Sequence, residues 1–98
     1  MTINQKREAD CLTLEIGGRI DTVTAPELEA AVKGSLDGVS ALVIDFADVE
    51  YISSAGLRVL LIAQKQMNRQ GSMKVIHVRE EIMEIFDVTG FSDVLTIE

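Results

Sequence analysis

Two adjacent hydroxyls, Ser53 and Ser54, follow the acidic stretch Asp45–Glu50 and stand where an apolar helical segment begins. A buried strand reads as ending at Phe46, with a carboxylate-rich loop behind it and a helix opening near Ser54. A helix start offers unpaired N–H groups and the positive end of the backbone dipole. A serine there either caps the helix with its oxygen or carries a phosphate that the same N–H groups receive. Both readings stand on the residues alone. Gly56, in the first turn, leaves room for close approach by another backbone or by a phosphate. Asp45 and Asp48 are carboxylates of the kind that bind metal, but no third ligand is placed with them. Asp21, just before the first helix, is either a loop cap or a third acid at the same sheet edge.

Other chemistries lack their parts. A serine hydrolase needs a base, and the only histidine, His77, reads as lying in a strand, a satisfied structural residue. No Gly-x-Ser-x-Gly elbow surrounds Ser54. There is no phosphate-binding Gly-rich loop and no Gly-x-Gly-x-x-Gly. The lone Cys11 can form no internal disulfide, and one cysteine with one histidine cannot build a zinc cluster. The four methionines are scattered, as core filling would have them. The expectation is a non-enzyme without metal or cofactor.

The elements that must position the two serines alternate between strand and helix. In Cys11–Ile16, Leu12, Leu14 and Ile16 alternate with polar residues, the pattern of a half-buried strand, which Gly17 and Gly18 then loosen. A weaker edge strand precedes it around Ile3–Glu8. Thr24-Ala-Pro-Glu27 reads as a capping box with proline in the first turn, followed by Leu28, Ala31 and Val32 at helical spacing and stopped by Gly38. Ala41–Phe46 reads as a strand buried on both faces of a parallel sheet. A helix spans Ser54–Gln70 before Gly71, a strand Met73–Val78, and a helix Glu80–Val88, with Ile82, Ile85 and Phe86 inward and Gly90 as its stop. Val94–Ile97 is a candidate last strand. The fold class expected is α/β: a mixed sheet of four to five strands packed with three main helices, in one domain over residues 1–98.

Bulk properties agree. A hydrophobic content of 47% with a single proline suits a folded globule. The formal charge of -7 repels phosphate backbones and anionic membranes, so neither nucleic acid nor membrane is an expected partner. A basic protein partner suits it, although charge also serves solubility. The first ten residues lack the apolar core of a signal peptide, and the apolar run Val59–Ala63 is too short to cross a bilayer, so a cytoplasmic location is expected.

Together these residues resemble a family, the bacterial anti-sigma-factor antagonists or STAS-domain proteins. Asp48-Val-Glu-Tyr-Ile-Ser-Ser-Ala-Gly-Leu57 is similar to their phosphorylation segment. Gly18-Arg-Ile-Asp21-Thr, the strand Ala41–Phe46 and Phe86-Asp-Val-Thr-Gly90-Phe resemble three further passages, so the likeness covers nearly the whole chain. The family segment usually reads Asp-Ser-Ser/Ala-Gly-Leu and is phosphorylated two residues before the glycine. That role falls on Ser54, with Ser53, where the family commonly has aspartate, as the alternative acceptor. The resemblance implies a switch. Unphosphorylated, the protein binds an anti-sigma factor with serine kinase activity and frees a sigma factor; phosphorylation abolishes binding, and a metal-dependent serine phosphatase restores it. The surface implied for that partner includes Asp21, Asp48, Ser53, Gly56, Leu57 and Arg58, with the apolar start of the helix, Leu57 and Val59, as a contact patch. The alternative reading that the resemblance leaves open is a non-phosphorylated STAS module of a stress-signalling or membrane-transport complex. A phosphopantetheine carrier, a helical bundle that usually presents Asp-Ser-Leu, fits the strand-like runs and Ser-Ser-Ala poorly.

Overall fold

Period-two alternation of apolar residues builds three neighbouring strands of one sheet. In the computed structural model, which describes residues 1–98, the elements are β1 (Thr2–Glu8), β2 (Cys11–Ile20), α1 (Ala25–Ser35), β3 (Ala41–Ile52), α2 (Ser54–Gln70), β4 (Ser72–Ile76) and α3 (Glu80–Thr89), with a 3-10 turn at Phe91–Asp93. The sheet order is β1-β2-β3-β4; β1 is antiparallel to β2, and β2, β3 and β4 run parallel. The α/β class, the mixed sheet of four strands and the three helices are those read from the sequence. Four paired strands are incompatible with the helical bundle of a carrier protein.

Each parallel crossover steps the same way across the sheet. Right-handed connections of that kind bring their helices to one face. Leu12, Leu14 and Ile16 of β2, Leu42, Ile44 and Phe46 of β3, and Met73 and Val75 of β4 accordingly join Leu28, Val32, Leu57, Leu60, Ile82 and Phe86 of the helices in one core. Phe46 and Phe86 seat α3 on the sheet with ring centroids 6.1 Å apart. The opposite residues, among them Cys11, Thr13, Glu15, Ala41, Val43 and Asp45, are only half-buried. The reading of Ala41–Phe46 as buried on both faces is therefore corrected: with all helices on one side, the second face of the sheet stays open.

Several local readings differ from expectation, among them the end of β2, which runs on through Gly17 and Gly18 to Ile20. β3 runs to Ile52 instead of ending at Phe46, because Asp48, Val49, Tyr51 and Ile52 pair with Gly17, Gly18, Arg19 and Ile20 of β2 across two register shifts, at each of which β3 carries one extra residue. The presumed loop is strand. Thr24 forms no capping box, since its side chain caps no helix N–H. Its hydroxyl instead donates to the Arg19 carbonyl at 2.8 Å and accepts the Asp21 N–H at 2.8 Å. β4 stops at Ile76 because His77 takes a left-handed backbone conformation (φ 58), so His77 lies in a turn, with its Nδ1 3.0 Å from Asp45 Oδ1. The expected last strand is reduced to a single parallel bridge between Ile97 and Val75.

Candidate functional site

The parallel pairing of β2 and β3 brings Asp21 and the two serines to one edge. Ile20 and Ile52 are partners at the carboxyl ends of their strands, and the Ser53 N–H donates to the Ile20 carbonyl at 2.8 Å. The chain then turns into α1 on one side and α2 on the other. Crevices beyond the carboxyl ends of parallel strands are where α/β sheets place their sites.

Of the two serines, only Ser53 takes the capping role. Ser53, extended at ψ 174, is the N-cap of α2, and its Oγ accepts the Gly56 N–H at 3.4 Å. Ser54 is the first helical residue; its hydroxyl is exposed and takes part in no hydrogen bond within the chain. α2 carries no acidic side chain in its first turn, so no carboxylate of its own offsets the dipole there.

Gly56 faces inward. A Cβ on it would come within 2.6 Å of Ile20 Cγ2 and 2.7 Å of Ile52 Cγ1, so this glycine seats α2 on the strand ends. The room it leaves is filled by the protein's own side chains, not left for a phosphate or a second backbone. Leu57 and Val59 are 6% and 2% exposed. They belong to the core, and the apolar contact patch expected of them does not exist at the surface.

Two of the four exposed large apolar side chains lie nearby on other elements. Val23 is 83% exposed at the tip of the Asp21–Thr24 loop, and Tyr51 is 37% exposed with the Arg19 guanidinium 4.3 Å over its ring. Asp21 ties that loop to itself: its Oδ1 accepts the N–H groups of Val23 and Thr24, each at 3.0 Å. The Thr24 N–H is the main cause that holds the Asp21 carboxyl below its ordinary range, with Val23 adding to it against the opposing effect of partial burial. Of the two readings of Asp21, the structure realises the loop cap.

Between α1 and α2 runs a groove lined by Thr22, Pro26, Glu29, Ala55 and Arg58. Arg58 Nη1 lies 3.9 Å from Glu29 Oε1, and Lys33 Nζ lies 3.0 Å from Glu29 Oε2. Asp48 is elsewhere. With Glu15 and Asp45 it borders a depression on the open face of the sheet. Asp45 is already engaged there by the Ala47 N–H and His77. No three His, Cys, Asp or Glu side chains converge in a metal-holding arrangement. No helix is long and apolar enough to cross a membrane.

The edge thus collects Asp21, Ser53, Ser54 and Arg58 from the expected set, turns Gly56 and Leu57 inward, and leaves Asp48 on another face. Sequence reasoning missed Val23, Tyr51 and Glu29. Val23 carried a usable signal, a β-branched apolar residue flanked by threonines in a loop; Tyr51 and Glu29 carried none, since their neighbours come from other elements.

The profile of the STAS domain matches residues 2–98. The anti-sigma-B factor antagonist of Bacillus subtilis is 30% identical over 98 residues, covering 99% of this chain and 90% of that protein. The crystal structure of an anti-sigma factor antagonist from Mycobacterium paratuberculosis superposes with a TM-score of 0.88 at 27% identity, over 98% of this chain and 83% of that one. The phosphorylated form of SpoIIAA, a Bacillus cell fate determinant, shares the fold at a TM-score of 0.77 and 11% identity, over 99% of this chain and 91% of that one.

Proposed function

The chain belongs to the STAS domain family, and from that membership we propose that it is an anti-sigma-factor antagonist switched by phosphorylation of Ser54. In the unphosphorylated state it sequesters an anti-sigma factor with serine kinase activity, which leaves a sigma factor free. The observation that carries this reading is the free, exposed hydroxyl of Ser54 at the first position of α2, beside a Ser53 that is occupied as the cap. The same edge offers the partner a hydrogen-bonded loop tip with Val23, the Tyr51–Arg19 pair and the cation of Arg58.

In the forward step the γ-phosphoryl group of ATP passes to Ser54 Oγ. The bond to the β-phosphate oxygen breaks, the hydroxyl proton goes to a base of the kinase, and ADP leaves. In the reverse step a metal-dependent serine phosphatase directs water at phosphorus; Oγ leaves as the hydroxyl and inorganic phosphate departs. The phosphate adds roughly -1.5 to -2 of charge at the edge where Asp21 and Glu29 already lie. Repulsion and the desolvation of a dianion in an interface exceed the ~1–3 kcal/mol typical of regulatory coupling.

Intact mass after incubation with ATP, magnesium and a candidate kinase of the same genome tests this, with Ser54→Ala and Ser53→Ala in parallel. The expected result is one added phosphate, lost in Ser54→Ala and retained in Ser53→Ala. Loss only in Ser53→Ala moves the site to Ser53. No phosphate with any such kinase overturns the switch and leaves a binding module of a stress-signalling or transport assembly.

A further inference from the structure

We infer that Arg58 is the internal receiver of the phosphate on Ser54, giving up Glu29 of α1 to take it, an inference that rests on the reading of Ser54 as the modified residue. Ser54 and Arg58 are four residues apart on α2, so their side chains rise from neighbouring positions on one helix face. The order is the favourable one, with the acid N-terminal to the base and the phosphate at the positive end of the helix dipole. Arg58 is the only cation of α2 before Lys65.

The contact that Arg58 makes beforehand is weak. Its 3.9 Å approach to Glu29 joins a side chain 74% exposed to one 26% exposed, a geometry in which ion pairs contribute little. Glu29 also keeps a nearer partner, Lys33 at 3.0 Å, so it is not left unpaired when the guanidinium departs. A phosphate dianion, by contrast, offers a guanidinium two parallel charge-assisted hydrogen bonds. Phosphorylation therefore does two things at once. It undoes the one ion pair that links α1 to α2 across the groove, and it withdraws the Arg58 cation from any partner docking there.

The charged groups around this edge are Glu29 and Lys33 on α1, Asp21 and Arg19 on β2 and its loop, and Glu50 on β3. The test holds them constant by comparing variants. Phosphoserine is placed at position 54 during synthesis, so no kinase is needed, and the 31P resonance is followed against pH. The second ionisation of phosphoserine lies near 6. In Arg58→Ala the midpoint is expected to rise by about 0.3 of a unit, the size of a helical i,i+4 ion pair. Arg58→Lys should restore part of the shift. Glu29→Gln should lower the midpoint by more when Arg58 is present than in the Arg58→Ala background, because only then is a competitor removed. Coincident midpoints in the parent and Arg58→Ala overturn the assignment of Arg58, and an equal Glu29→Gln shift in both backgrounds overturns the exchange. Because the phosphate is installed without a kinase, a failure here is separate from a failure of Ser54 as a kinase substrate.

Discussion

Ser53 and Ser54 are chemically identical and one position apart, yet the helix start gives them different work. Hydrogen bonding to the Gly56 N–H turns Ser53 inward as a cap, whereas Ser54 points out with its hydroxyl free. Asp21 does for the neighbouring loop what Ser53 does for α2, and with an ionised oxygen it does so more strongly. Its carboxyl is held below the ordinary 3.8 chiefly by the Thr24 N–H. The Asp10 carboxyl is held down too, mainly by the Ser40 hydroxyl. A lowered folded-state pKa means that the unfolded chain binds more protons between the two values. The stabilisation is thus complete above the ordinary value and is lost as pH falls through the folded one. Asp21→Asn keeps an accepting oxygen but has no proton to bind. Urea midpoints measured downward from pH 7 should fall less steeply below about pH 4 in that variant than in the parent. The slope should stay above zero because Asp10 remains. Identical slopes would mean that Asp21 is not held ionised by the loop.

At the scale of elements, the site depends on how α2 is seated at both ends. Gly56 lets the first turn settle on Ile20 and Ile52, and Gly71 does the corresponding work at the other end. A Cβ on Gly71 would lie 1.8 Å from the Ser40 carbonyl oxygen, which is backbone and accepts the Ser72 N–H at 2.9 Å. Gly71→Ala is therefore expected to destabilise by at least about 2 kcal/mol, outweighing the ~0.4–1 kcal/mol gained by restricting the unfolded chain. Urea unfolding checks this, and a midpoint equal to the parent's would show that the passage from α2 to β4 yields without cost. Both limits of α2 were legible in the sequence, since the Ser53 cap on the Gly56 N–H and the closure of the Gly71 N–H on the Met67 carbonyl are contacts within a few residues. The end of β3 was not. Val49 and Ile52 are buried three residues apart, which breaks the period-two pattern, and only the irregular pairing with β2 makes that spacing a strand. The cap of α1 was misread for a related reason: Thr24 has the right type and position, but the end of β2 engages its hydroxyl first. The helix start at Ser54 was legible because its signal is local, whereas the groove around it is made by α1, α2 and the β2 loop together.

Across the whole molecule the charge of -7 is unevenly spread. From Glu80 to Glu98 there are six carboxylates and no lysine or arginine, whereas Arg19, Lys33 and Arg58 all lie near the Ser54 edge. The long-range field therefore draws a basic partner toward the protein, and the mixed charges at the edge decide how it docks. These two effects respond differently to salt. Screening shortens from about 8 Å at physiological ionic strength to about 3 Å at 1 M, which removes the steering but not the cost of burying a dianion in a contact. If phosphorylation acts by contact, association of the unphosphorylated protein with its anti-sigma partner should slow about tenfold or more between 0.05 and 1 M salt. Over the same range the affinity ratio between unphosphorylated and phosphorylated protein should stay above about tenfold. Stopped-flow association and calorimetric titration of the two forms measure both quantities. A ratio that collapses toward one at high salt would mean that the phosphate acts only as one more charge in an already acidic field. Ser54 would then lie outside the interface, and Val23 and Tyr51 would lose their place beside it as partner contacts.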